Sequence, residues 1–238
     1  MQGYTRRQLK EDKFAQTAQG AAQWTASHQR PVVVGIVVVV VAVLAVAGFI
    51  AWQSRNSEQA NIALSAAMRT FNMPLRPTGA PASDTNAGFA SVADRGRAAE
   101  KEFAALADKY SFSKPGKIAR YMEGVAAMQA GDNAAAEQQL KTAAGFSDKD
   151  VASLAQVALA NLYRTTNRQP DAIRIFKDLA DHPTSTVPKT QAQLELASMY
   201  ETTDPQQATA LYQQIQKENP QTPAAQLANA KLSGAKPE

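Results

Sequence analysis

The sequence predicts an all-α protein: a single N-terminal transmembrane helix followed by a helical solenoid of about three to four helix–turn–helix repeats. Three observations carry this. An uncharged apolar run, PVVVGIVVVVVAVLAVAGFIAW, occupies residues 31–52. The remainder is rich in Ala, Gln, Leu, Lys and Asp and poor in β-branched residues, which is helix-forming composition. Four short segments of one form recur at intervals of 37, 36 and 36 residues, the range expected of stacked helical hairpins.

As a helix the apolar run spans about 33 Å, enough for a hydrocarbon core of roughly 30 Å. A secretory signal has an apolar region of about 7–15 residues ending in a small-x-small site. Here Ala45-Val46-Ala47 lies inside the run, and Phe49, Ile50 and Trp52 continue beyond it. An uncleaved anchor is therefore expected rather than a cleaved signal, and the run is far too long for a strand. Five basic residues precede it (Arg6, Arg7, Lys10, Lys13 and Arg30), whereas only Arg55 and Arg69 follow closely. The excess of positive charge on the N-terminal flank puts residues 1–30 in the cytoplasm and residues 53–238 outside, in a bacterium the periplasm. Trp24 and Trp52 suit the two interfaces. Thr5-Arg6-Arg7-Gln8-Leu9-Lys10 superficially resembles a twin-arginine signal, but Glu11 and Asp12 intervene before the distant apolar run. Within the charged tail, Phe14, Ala18, Ala21 and Trp24 would share one face of a helix between Leu9 and Ser27, an interfacial helix or a partner contact.

Residues 53–93 form a connecting segment. No helix breaker occurs in 53–71, so the membrane helix can run on, and residues 58–71 are the candidate first helix of repeat one. Leu64, Met68 and Phe71 make its apolar stripe. Pro74, Pro77, Gly79, Pro81 and Gly88 then make residues 72–91 a loop.

The repeat domain is expected over residues 94–238. AEKEFAAL, AEQQLKTA, AIRIFKDL and ATALYQQI begin at Ala99, Ala136, Ala172 and Ala208. Each reads Ala, then a large apolar residue four places on, then an apolar residue three beyond that. These positions share one helix face, where the small residue admits a neighbouring helix and the large one fills the space beside it. The last three are preceded by helices over 118–129, 153–164 and 191–202, with polar turns at Gly131-Asp132, Asn167-Arg168 and Thr203-Asp204. Asp132 and Asp204 are candidate N-caps, and Pro183 and Pro220 end second helices. Residues 222–232, entered through Thr222-Pro223, would cap the stack.

This pattern resembles the tetratricopeptide repeat (TPR). One repeat supplies Gly124, Gly131, Asp132, Ala136, Leu140 and Ala143; the next supplies Leu159, Ala160, Tyr163, Ala172, Phe176 and Leu179; the last supplies Leu196, Ala197, Tyr200, Ala208, Tyr212, Ile215 and Pro220. No repeat opens with Trp, and Glu123 takes a normally apolar position. An irregular helical bundle is the alternative.

Little in the chain points to catalysis. There is no cysteine, which excludes disulfides, thiolate metal sites and cysteine nucleophiles. His28 lies in the tail, and His182 reads as a cation at a helix C-terminus, so neither suggests a metal or a catalytic pair. No glycine-rich phosphate loop occurs. Ser111-Phe112-Ser113-Lys114 matches Ser-x-x-Lys but lacks the companion motifs. Residues 53–238 carry 20 basic and 19 acidic side chains, too balanced for a nucleic-acid surface. The expectation is no enzyme, no cofactor, no metal and no small-molecule substrate.

What remains is surface. The first helices of a TPR stack line its concave side, and the repeat phase places Tyr121, Val125, Met128, Asn161, Arg164, Ser198 and Glu201 there as the candidate protein-binding groove. Tyr121, Val125 and Met128 could instead pack under the split first unit or the 72–91 loop.

A short charged tail, one membrane helix and an exported TPR-like domain with an early Pro-rich insertion resemble the TPR-like family of the ancillary SecYEG translocon subunit, the YfgM type, grouped with the cell-division coordinator TPR domain. The resemblance implies an inner-membrane, single-pass, non-catalytic adaptor facing the periplasm. Its implied partners are the SecYEG translocon and a membrane-anchored periplasmic chaperone of the prolyl isomerase class. The alternative is a structural scaffold for another envelope complex, in cell-wall synthesis or division.

Overall fold

The computed structural model describes residues 29–77 and 88–234. The expected tail helix, Trp24, His28 and residues 78–87 lie outside the described residues, as does the side chain of Trp52. The described residues form helices joined by short turns. These are α1 (Gln29–Phe71), α2 (Val92–Lys109), α3 (Lys114–Ala130), α4 (Asn133–Ala144), α5 (Lys149–Thr165), α6 (Gln169–Asp181), α7 (Lys189–Thr203), α8 (Pro205–Glu218) and α9 (Pro223–Ser233). Among these residues the only β-type pairing is an isolated bridge between Leu75 and Phe89.

Two units divide the chain, Met1–Arg55 and Asn56–Glu238. In the first, the described part of α1 from Val33 is long and apolar enough to cross a membrane, and its valines stand exposed. Valine is a mediocre helix former in water, but a chain in hydrocarbon must satisfy its backbone groups internally, which favours helix over any open structure.

In the second unit, each helix from α2 onward packs on the next in sequence, α3 also meets α5, and α7 meets α9. That is the contact pattern of stacked hairpins. The four marker alanines are buried where the periodicity puts them: Ala99, Ala136 and Ala172 are wholly inaccessible and Ala208 nearly so. Their large partners Phe103, Leu140, Phe176 and Tyr212 are buried beside them. Gly124 extends the same logic, since a Cβ there would come within 2.7 Å of Leu140 Cγ. Only a bare backbone lets α3 and α4 approach this closely.

The core is in two parts. A small cluster joins Ala60 and Ala67 of α1 to Ala99, Phe103 and Leu106 of α2 and Met122 of α3, with Phe71 edge-on to Phe103 at 6.1 Å. A larger cluster runs from Ala127 through Tyr163, Phe176, Leu196 and Ile215 to Ala228.

Local chemistry sets the helix ends. Asp132, Asp204 and Thr222 accept from the backbone N–H groups of Ala135, Gln207 and Ala225 as N-caps. Gly131 closes α3 at φ 82°, and Asn167 makes the next hairpin turn at φ 60°. Two helices start four residues before their apolar pattern does. Ser113 caps α3 with Pro115 in its first turn, and Asp148 caps α5. Both opening turns are polar enough to carry no periodic signal.

Candidate functional site

The seven groove candidates sit on three helices. Tyr121, Val125 and Met128 are on α3, Asn161 and Arg164 on α5, and Ser198 and Glu201 on α7. The i, i+4 and i+7 spacing aligns the first three along one face. All three are half-buried against the large core cluster. Tyr121 also touches the small cluster, so it stands at the seam between the two. Burial raises its phenol pKa above the ordinary value.

Because α3 packs directly on α5, the apolar trio lies on a helix adjoining Asn161. Asn161 is half-buried, and its side-chain Oδ1 is buried with no hydrogen-bond partner. A buried carbonyl without a donor is unfavourable and ready to accept one. Arg164, one turn along, is exposed and lies 3.8 Å from Glu195 of α7, a loose ion pair that links the two helices.

The α7 candidates differ from each other. Ser198 is exposed. Glu201 accepts from Tyr212 Oη of α8 at 2.7 Å and pairs with Lys231 of α9 at 3.0 Å. The Tyr212 hydrogen bond first, and Lys231 second, hold its carboxyl below the usual range. Glu201 therefore ties the last two helices to α7. No feature of the local sequence shows this, because Lys231 is 30 residues away.

Two features escaped the repeat pattern. Glu123, at the normally apolar position, is buried on α3, and burial pushes its pKa up against the pull of Arg120. Arg120 bonds Glu123 at 2.7 Å and also reaches Asp108 of α2 and Gln139 of α4, so one guanidinium fastens three helices. The other is Phe112, 96% exposed in the turn between α2 and α3. It falls outside every helical period, and an isolated Phe between two serines was its only sequence signal.

His182 Nδ1 lies 3.1 Å from Asp178 Oδ1, close to the end of α6. Ser111, the serine of the Ser-x-x-Lys match, is exposed in the turn between α2 and α3, while Ser113 within it caps α3. No group of His, Cys, Asp or Glu among the described residues could hold a metal ion.

A family model described as a tetratricopeptide repeat-like domain matches residues 22–178. No curated protein and no solved structure matches the chain.

Proposed function

The chain belongs to the tetratricopeptide repeat-like family, whose match covers well over half of it, and from that premise we propose that it is a membrane-anchored, non-catalytic adaptor. Protein–protein interaction is the role such a domain suggests. The finer reading is that its face on α3, α5 and α7 holds a partner protein or an emerging polypeptide in the periplasm, near the Sec translocon and a periplasmic chaperone of the prolyl isomerase class. The translocon and the chaperone enter this reading through the resemblance to the YfgM-type family.

The observation that carries the reading is the apposition of α3 and α5. A half-exposed strip of Tyr121, Val125 and Met128 lies on α3, and α5, which packs on it, carries Asn161, whose buried Oδ1 has no donor. A half-exposed apolar strip on one helix suits the side chains of an extended polypeptide, and a small rotation of Asn161 would open its acceptor to an N–H group. Methionine and tyrosine suit a permissive surface. The apolar helix and the basic N-terminal flank support the anchor and its orientation. Anchoring raises the effective concentration of a weak contact without any new interaction.

Photo-crosslinking in cells from Tyr121 and from Arg164, read by mass spectrometry, tests it. Translocon subunits, a periplasmic chaperone or many nascent exported chains are the expected captures. Capture confined to cell-wall or division proteins would move the reading to a scaffold. No capture from either position would remove this face as the binding site.

A further inference from the structure

We propose that the turn between α2 and α3 is a second membrane contact, in which Phe112 enters the headgroup region of an anionic bilayer while Lys109, Lys114 and Lys117 face its phosphates. This rests on the anchor reading above and adds a lipid-binding site in the repeat domain.

Phe112 is the most exposed large apolar side chain among the described residues, more so than the valines of the apolar helix. Phenylalanine this exposed contributes nothing to folding. The turn that displays it is nonetheless tightly built. Ser113 N–H and Ser113 Oγ both donate to the Tyr110 carbonyl, at 2.9 and 2.8 Å, and Gly116 N–H donates to Ser113 Oγ at 3.1 Å. Any Cβ at Gly116 would overlap the Tyr110 carbonyl. Tyr110, Ser113, Pro115 and Gly116 are all buried. A rigid base thus holds one aromatic ring out in solvent, so little ordering entropy opposes its insertion.

The surrounding charge says what covers the ring. Lys109 and Lys114 are exposed and Lys117 is half-buried. Among the described residues none of the three forms an ion pair; Lys109 leans over the Tyr110 ring instead. Asp108, next to Lys109 in sequence, is held by Arg120. An exposed aromatic tip flanked in sequence by lysines without ion pairs matches an anionic lipid surface, where the ring meets the acyl boundary and the ammonium groups meet phosphate.

Placement within the second unit agrees. Met73 accepts from Arg95 near the start of α2, and Thr70 donates to Glu102 farther along. So α2 runs antiparallel to residues 56–71 and carries Tyr110–Ser113 back toward the start of that stretch.

The chain has no cysteine, so Ser111→Cys gives a unique site for a fluorophore beside Phe112. The full chain is reconstituted in nanodiscs of phosphatidylcholine, with or without phosphatidylglycerol, and quenched by nitroxide lipids. Quenching is expected in the anionic discs and should be lost on adding Phe112→Ser. Each Lys→Gln change at 109, 114 or 117 should lower the ratio of bound to free turn roughly fivefold, and added salt should act the same way. Equal quenching with and without Phe112, or none in anionic discs that contain the protein, would overturn the proposal and leave the anchor standing. A label shielded from iodide but not reached by lipid nitroxides would mean that protein covers Phe112, and would also overturn it. A chain that does not enter nanodiscs would remove the anchor and this contact together.

Discussion

The phenol of Tyr163, on α5, donates a hydrogen bond to Glu137 Oε1, on α4, at 3.0 Å. Arg168 completes the contact from the next turn, with its guanidinium 4.0 Å from the centre of the Tyr163 ring and 2.8 Å from Glu137 Oε2. Successive hairpins are latched through one carboxylate.

This latch should be sensitive to acid. Hydrogen bonds from Lys141 first, then from Arg168 and Tyr163, hold the Glu137 carboxyl down at about 2 against an ordinary 4.5. A folded-state pKa below the unfolded one adds stability above the unfolded value, and the gain fades as pH falls from about 4.5 through 2. Glu137→Gln should therefore lower stability by about 1 kcal/mol near neutrality. The difference from wild type should shrink near pH 3. Thermal melts of both proteins at the two pH values measure this; a gap that stays constant would show the latch is not ionic.

Removing Arg120 should be among the most damaging single changes. Arg120→Ala leaves the buried Glu123 carboxylate without its cation, a loss of about 3–5 kcal/mol. Adding Glu123→Leu should recover most of it, because that position is normally apolar and an apolar side chain needs no partner. Denaturant titration of the two variants checks the expectation, and a double variant no better than the single would contradict it.

Gly124→Ala should cost about 1–3 kcal/mol by overpacking, since its methyl would meet Leu140 Cγ. Leu140→Ala in the same chain, which removes that γ carbon, should return part of that loss, although Leu140→Ala alone destabilises. The sign of the coupling in this double-mutant cycle is the test.

Ser153, at the start of α5, is almost wholly buried, and its hydroxyl reaches the Asp150 carbonyl and the hydroxyls of Thr184 and Thr186. Ser153→Ala should cost about 1 kcal/mol. It should also speed proteolysis at residues 183–188 with little effect on the helices. Uniform protection of that loop in the variant would mean the cluster does not hold it.

The repeat was legible because burial imposes it: Ala99, Ala136, Ala172 and Ala208 recur where backbones must meet, and this shows in sequence as a period. Asp132, Asp204 and Thr222 were legible for a related reason, since caps act within three residues. The openings of α3 and α5 were not, because Lys114-Pro115 and Lys149-Asp150 are polar and Pro115 looks like a breaker although a first turn accepts it. At the site, the repeat phase is what assigns Tyr121 and Asn161 to one groove, and that assignment stands as a proposal. It could not give the missing partner of Asn161 Oδ1 or the bonds of Glu201 to Tyr212 and Lys231, which depend on residues brought near only by stacking.

Because each helix of the second unit packs on its neighbour in sequence, no segment must wait for a distant one. Contact order is low, and low contact order goes with rapid folding. Were the chain exported with its N-terminal tail held in the cytoplasm, the residues just after the anchor would emerge first, and α2 and α3 could close as a hairpin before α8 and α9 followed, with each later pair adding to a template already formed. Such a domain can mature vectorially during export, with its C-terminal helices last to join and first to fray.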